Sequence, residues 1–280
     1  MPETLNDIFA VIVLYKTSLE NSCSFNSLLN AIQLQPGTLH VLMYNNSPEI
    51  KLNTEFYDKS NLTLTVINDK KNSGVSKAYN IASALAKKTK RKWLLLLDQD
   101  MQLPENFFLE FFLLRKKNLS NERLLYLPIV YSENKIVSPA NYIPYRGFRR
   151  KDIKAGCHDI RKLAIINSGV LIDVALFKQA GGFNEEVGLD FSDVSFFRRL
   201  KQYNKNAIIM NVKCMHAFSG FEYDNYEKHL NRFRIFNRNA LAFSKEKGVS
   251  KIFLFITVFL RAFNLSLKFK TFNFFREVKL

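Results

Sequence analysis

Lys92-Trp93-Leu94-Leu95-Leu96-Leu97-Asp98-Gln99-Asp100 sets four leucines behind a tryptophan and ends them at two carboxylates one residue apart. An apolar run without polar alternation predicts a strand buried on both faces, as inside a parallel sheet. In open α/β sheets, ligands bind just beyond the carboxyl ends of such strands. Two acids there repel unless a cation or a hydrogen-bond network offsets their charge. A divalent oxygen-seeking ion, Mg2+ or Mn2+, shared with substrate phosphates would do so. A turn accounts for the same residues equally well, because Asp often begins the element after a strand. Pro104, Glu105 and the apolar residues from Phe107 to Leu114 predict a helix just downstream.

Upstream, Ile8 to Leu14 predicts a buried first strand ending at Tyr15-Lys16. Leu28, Leu29 and Ile32 recur at helical spacing before Pro36-Gly37. His40 to Tyr44 predicts a second strand closed by Asn45-Asn46-Ser47-Pro48, and Leu62 to Ile67 a third. Ala78, Ile81, Ala82 and Leu85 mark a helix before the fourth strand. Strands with helices between them predict βαβ units, hence an α/β fold with a Rossmann-like, mostly parallel sheet flanked by helices. Gly74, in Asn72-Ser73-Gly74, stands at a helix start, where backbone N–H groups can hold an anion and Lys77 can add charge. An ordinary helix start with a polar entry fits the same residues. Neither a Walker loop nor a GxGxxG fingerprint occurs, which disfavours P-loop and dinucleotide readings.

Downstream, Tyr126 to Val130 predicts another strand. From Tyr131 to Lys162 the pattern dissolves into polar, Pro/Gly-bearing sequence carrying Arg146, Arg149, Arg150, Lys151 and Lys154. A structureless segment of that length is functional or mobile. It reads either as a solvated face or as a receiver for an acidic acceptor or lipid diphosphate. Regular structure returns from Ala164 to Ile172, where Gly169 would let a ligand approach the backbone. Val174 to Gln179 predicts a helix ended by Ala180-Gly181-Gly182. A further helix, with Phe196, Phe197 and Leu200 inward, starts at Ser192-Asp193, both favoured N-cap residues.

The chain has 280 residues, 47% of them hydrophobic, enough for one α/β domain with extensions. Its formal charge of +16 points to a polyanionic partner: nucleic acid, an anionic membrane surface or phosphorylated substrates. Cys23, Cys157 and Cys214 show neither zinc spacing nor a disulfide framework, favouring a reducing cytoplasm. The seven-residue apolar run after a polar, acidic N-terminus is a strand rather than a signal peptide.

Taken in order, these motifs resemble the family-2 glycosyltransferases of GT-A fold, and most of all their bacterial rhamnosyltransferase-type members, whose metal motif often reads Asp-Gln-Asp. The resemblance runs from about Ile8 to Asn239. It rests on the first strand, Asn72-x-Gly74 with Ala78 and Asn80, Asp98-Gln99-Asp100, Ser168-Gly169, Gly181-Gly182-Phe183-Asn184-Glu185, Asp193 with Arg199, and His216. It implies that Leu14, Tyr15 and the Asn45 turn hold the nucleobase and ribose of a nucleotide-sugar donor. Members commonly carry an aspartate at that turn, and this chain has Asn45 or Tyr44 instead. Asn72, Gly74 and Lys77 would lie along the diphosphate, Asp98 would contact the ribose or metal, and Asp100 would ligate the metal. His216 would be a further ligand or a phosphate contact, or simply a packed histidine. Asp193 would be the general base of an inverting transfer, with Asp190 its rival; Ser195 stands where members often have a second acid.

The resemblance also implies a donor such as dTDP-rhamnose and a glycan or lipid-linked acceptor in surface polysaccharide synthesis. Residues 1–222 are expected to form the catalytic domain and 223–280 a helical, basic and aromatic extension. Ile252 to Leu260 is apolar, but Arg261 and Asn264 leave the run short of a bilayer span. With Lys251, Lys268, Lys270, Arg276 and Lys279 around it, the segment reads as a helix in the membrane interface or, alternatively, one packed on the domain. The expected location is therefore cytoplasmic and peripheral, on the inner face of the cell membrane. A nucleic-acid-binding protein and a non-catalytic sugar-nucleotide scaffold are the competing classes. With no RRM-like or zinc signature, no nucleic-acid partner is expected.

Overall fold

The computed structural model describes residues 3–52, 61–117, 124–217 and 225–280, and of Arg149 the backbone alone. β1 (Ile8–Leu14) is buried throughout and pairs in parallel with β2 (Leu39–Asn45) on one side and β4 (Trp93–Asp98) on the other. β3 (Leu62–Asn68) extends the parallel core beyond β2. In register, Leu14 stands beside Asn45, Asn45 beside Asn68, and Val13 beside Asp98. Four strands therefore stop together at one edge, where ligands of such sheets bind.

Alternation along these strands supplies two cores. Phe9, Val11, Leu94 and Leu96 face α2 (Val75–Lys88), whose Ala78, Ala82 and Ala86 let the helix approach closely. Ile8, Ala10, Ile12, Trp93 and Leu95 face α1 (Cys23–Ile32) and the phenylalanines of α3 (Phe107–Lys117).

Beyond β4 the sheet changes direction. β11 (Val170–Asp173) is antiparallel to β4 and to β6 (Leu125–Ser132). β12 (Asn206–His216) lies parallel to β6, and its end pairs with β5 (Met101–Gln102). The stretch 131–162, expected to lack structure, instead holds β7 (Lys135–Ile143), β8 (Arg146–Arg150) and β9 (Gly156–Asp159). Glu133 and Asn134 both adopt positive φ (48° and 60°), the backbone of a tight hairpin turn, with none of the glycine that usually betrays one. β10 (Leu163–Ala164) pairs with β7. α4 (Val174–Gln179) and α5 (Ser192–Leu200) cover the α2 face.

The C-terminal helices α6 (Tyr226–Ser244), α7 (Lys251–Phe269) and α8 (Asn273–Arg276) enclose a third core, which takes in Tyr145, Val187 and Phe191 from the preceding part of the chain. The expected domain boundary at 222/223 lies outside the described residues. At 19 residues with mean hydropathy 1.7, α7 is long and apolar enough to cross a membrane, contrary to the reading of a truncated run. Its two faces differ. Leu254, Val258 and Ala262, one turn apart, point into the third core. Arg261 turns the same way, 3.6 Å from Asp190 and 4.0 Å from the Phe236 ring centroid. Ile252, Phe253, Ile256, Phe263 and Leu267 face outward. The packed and the exposed readings of the tail thus describe opposite sides of one helix.

Candidate active site

At the shared edge of the parallel strands the chain gathers Asp98, Asp100 and His216. β5 aligns His216 with Met101, so that His216 Nε2 lies 3.5 Å from Asp100 Oδ1 and 3.8 Å from Asp98 Oδ2. Burial pulls the His216 imidazole toward neutrality, but the two carboxylates outweigh it and raise its pKa. Asp98 is held from several sides. Its N–H donates to Ser168 Oγ at 2.9 Å, and Tyr79 Oη donates to its Oδ1 at 2.7 Å. Burial first, then the Asp98 charge, raises the Tyr79 pKa and keeps the phenol a donor. Ser168 therefore supports Asp98. A Cβ on Gly169 would stand 2.7 Å from Pro128 Cγ, so that glycine serves packing and not, as expected, the approach of a ligand.

Gln99, between the two acids, ties the edge together. Its Oε1 accepts the Tyr15 N–H at 2.7 Å, and its carbonyl accepts from Ser24 N and Ser22 Oγ, each at 3.1 Å. Leu14 is buried, whereas the Tyr15 side chain is exposed. Asn45 is fully buried with both polar atoms used: Nδ2 donates to Ile50 O and Asn68 Oδ1, and Oδ1 accepts from Ser47 N. It shapes the turn rather than offering a side chain to a nucleotide. The acid of this neighbourhood is Asp69, one residue past β3, which accepts from Tyr44 Oη, Ser73 N and Lys71 N. Burial alone would raise its pKa, but these bonds hold it well below the usual carboxylate range. Its strand-end position was the available signal.

Asp69 folds the loop that carries Asn72 (φ 47°) and Gly74 (φ 86°) into α2. The Val75 N–H, the first donor of α2, is spent on Gly188 O at 3.0 Å, so part of the expected anion cradle closes on the chain itself. A Cβ on Gly74 would stand 2.4 Å from that same oxygen. Gly74→Ala is therefore expected to destabilise the fold by about 2–3 kcal/mol, combining left-handed strain with a lost hydrogen bond. Denaturant unfolding measures it, and a change under 0.5 kcal/mol would refute the contact. Lys77 is half-buried on the first turn of α2. Asn80 grips the Gly182-Phe183 turn: its Oδ1 accepts from Phe183 N at 2.8 Å, while Nδ2 donates to Phe183 O and Glu185 Oε1. Two motifs distant in sequence are thus one contact.

Asp193 lies in the first turn of α5, but not at its cap. Phe191, at φ 63°, holds that position. Its left-handed backbone is held by ring contacts with Phe236, tilted, and Phe243, stacked. The Asp193 carboxylate accepts from Val194 N at 2.7 Å. Burial pushes its pKa up, the Val194 N–H pulls it back, and the charges of Asp190 and Asp98 add to the rise, leaving it at about 6. Asp190 is committed elsewhere. Both guanidinium ends of Arg232 bond to it, and Arg261 approaches its Oδ1. Arg199 donates to Ala180 O at 2.8 Å, and Ser195 Oγ to Glu246. Cys23, Cys157 and Cys214 are free thiols.

The structure superposes on the mannosyltransferase PcManGT of Pyrobaculum calidifontis, solved with GDP-Man and Mn2+, with TM-score 0.55 and 12% identity over 94% of this chain and 71% of that one. S. aureus TarS 1–349, solved with UDP-GlcNAc, gives 0.52 and 13% over 94% and 73%. The fold is GT-A-like. In sequence the chain is 24% identical over 220 residues to dTDP-rhamnosyl transferase RfbF of Shigella flexneri, which covers 76% of this chain and 69% of that protein. No family model matches. In fold and in sequence the chain is thus similar to glycosyltransferases that use nucleotide-activated sugars.

Proposed function

We propose that the protein transfers a sugar, with inversion, from a nucleotide-activated donor to a glycan or lipid-linked acceptor of surface polysaccharide synthesis, using a divalent metal. The observation that carries this is the convergence of Asp98, Asp100 and His216 at the strand ends, within the field of Asp193. Two carboxylates and an imidazole suit Mn2+ or Mg2+. Among the described residues no three such side chains already close around one point, so donor phosphates would complete the set. Asp100, Asp98 and His216 would hold the ion, which supplies Lewis-acid stabilisation of the departing diphosphate. Asp193 takes the proton of the acceptor hydroxyl as that oxygen bonds to the anomeric carbon, and the bond from that carbon to the diphosphate breaks. The RfbF likeness makes dTDP-rhamnose the first donor to try. A panel of nucleotide sugars, with and without Mn2+, tests the reading. Binding without turnover of any donor would support a scaffold instead.

The outer face of α7 supports a peripheral membrane location on the cytoplasmic side. Ile252 and Leu267 are 73% and 63% exposed, and Lys251, Lys268, Lys270, Arg276 and Lys279 are exposed beside the same apolar surface. Co-sedimentation with vesicles containing 30% phosphatidylglycerol is expected, with marked loss in the Phe253→Ser/Ile256→Ser/Phe263→Ser variant. Equal sedimentation of parent and variant would overturn the assignment.

A further inference from the structure

One side of α5 lines a cavity of about 160 Å³ that includes Asp193 but none of the strand-end acids. Asp193, Val194, Phe197, Arg198 and Lys201 line it, a single helical face. Asp193 and Lys201 stand eight residues apart, about 12 Å along the helix. Val194 and Phe197 lie between Asp193 and Lys201 on the helix, and Val137, Ile165 and Ile166 add to the apolar lining, beside Tyr142 and the cations Arg161 and Arg198.

The cations at this cavity are not equivalent. Arg161 is paired with Asp159 at 2.5 Å, and Arg198 with Glu246 at 2.8 Å. Lys201 has no carboxylate within ion-pair distance among the described residues. Its Nζ donates to Leu163 O at 2.7 Å and stands 4.5 Å from the Tyr142 ring centroid. An ammonium has three donors, so Lys201 keeps capacity for an incoming acceptor oxygen. Burial lowers its pKa to about 8, only partly opposed by the charge of Asp159. A partly buried cation without a paired acid is a costly arrangement. An anionic ligand would relieve it.

We propose that this cavity is the acceptor site and that it selects an acceptor bearing an anionic oxygen group, a phosphate or a carboxylate, which Lys201 receives while Asp193 faces the reacting hydroxyl. The inference rests on the transferase reading and deepens it. The separation of Asp193 from Lys201 puts the anion at least one sugar unit from the hydroxyl that reacts. The apolar wall between them suits the faces of sugar rings.

The test uses the full chain with its donor site filled by dTDP and Mn2+. Binding of glucose 1-phosphate, glucuronate and methyl glucoside is then compared by ligand-observed NMR. At least one anion is expected to bind about tenfold tighter than the neutral glycoside, the scale of a charge-assisted hydrogen bond. Comparing the two anions shows whether phosphate or carboxylate is preferred. Lys201→Met, which keeps the aliphatic stem on Tyr142, is expected to erase the preference. Lys201→Arg is expected to keep it. Because the ammonium loses its proton near pH 8, the preference of the parent should weaken from pH 7 to 9, while that of the Lys201→Arg variant should not. Glucuronate keeps a constant charge across that range. Equal binding of neutral and anionic probes, an undiminished preference in Lys201→Met, or identical pH profiles in parent and Lys201→Arg would each overturn the proposal. Failure of dTDP itself to bind would instead strike the transferase reading.

Discussion

Asp193→Asn is expected to lower turnover about a hundredfold to ten-thousandfold, the usual cost of losing a general base, with little change in melting temperature. The side chain keeps its shape, and the cap that Asp193 was expected to provide is held by Phe191 instead. Loss of the carboxylate also relieves a buried charge that Asp190 and Asp98 make less favourable. The pH dependence has a definite sign. The base must be ionised, and its pKa is raised to about 6, so the rate should fall as pH drops through that value and level off above it. A bound cation would offset the Asp98 share of the rise and leave the burial share. Near-normal turnover in Asp193→Asn would remove it from the chemistry. The matching Asp190→Asn change should behave differently. It unpairs Arg232 and Arg261, and its first effect should be a lower melting temperature.

Asp100→Ala is the second large effect: near-complete loss of transfer and of metal-dependent donor affinity, in a protein that stays folded. Asp100 Oδ1 faces His216 at 3.5 Å, at the end of a strand whose core residues the substitution leaves untouched. Titration of dTDP with and without Mn2+, beside a thermal melt, separates lost binding from lost fold. Undiminished transfer by the parent protein under chelation would sink the metal assignment.

The parallel core could be read directly because each of its strands is a local apolar run buried on both faces; Trp93 to Leu97 and Ile8 to Leu14 need no partner to announce themselves. The same holds for the acids at their ends, since a strand that stops dead at Asp98-Gln99-Asp100 marks the edge where ligands bind. Pairings between distant segments had no such local mark. The rim strands β8 and β9 are short and polar, and β7 follows β6 through the glycine-free Glu133-Asn134 turn, so only their ladder partners make them strands. Phe191 displaced Asp193 from the cap because aromatic partners on α6 hold a backbone conformation that its own sequence disfavours. The tail divides in the same way. Composition alone identified an apolar helix edged with cations, whereas the inward turn of Arg261 toward Asp190 and Phe236 settled which of its faces is covered.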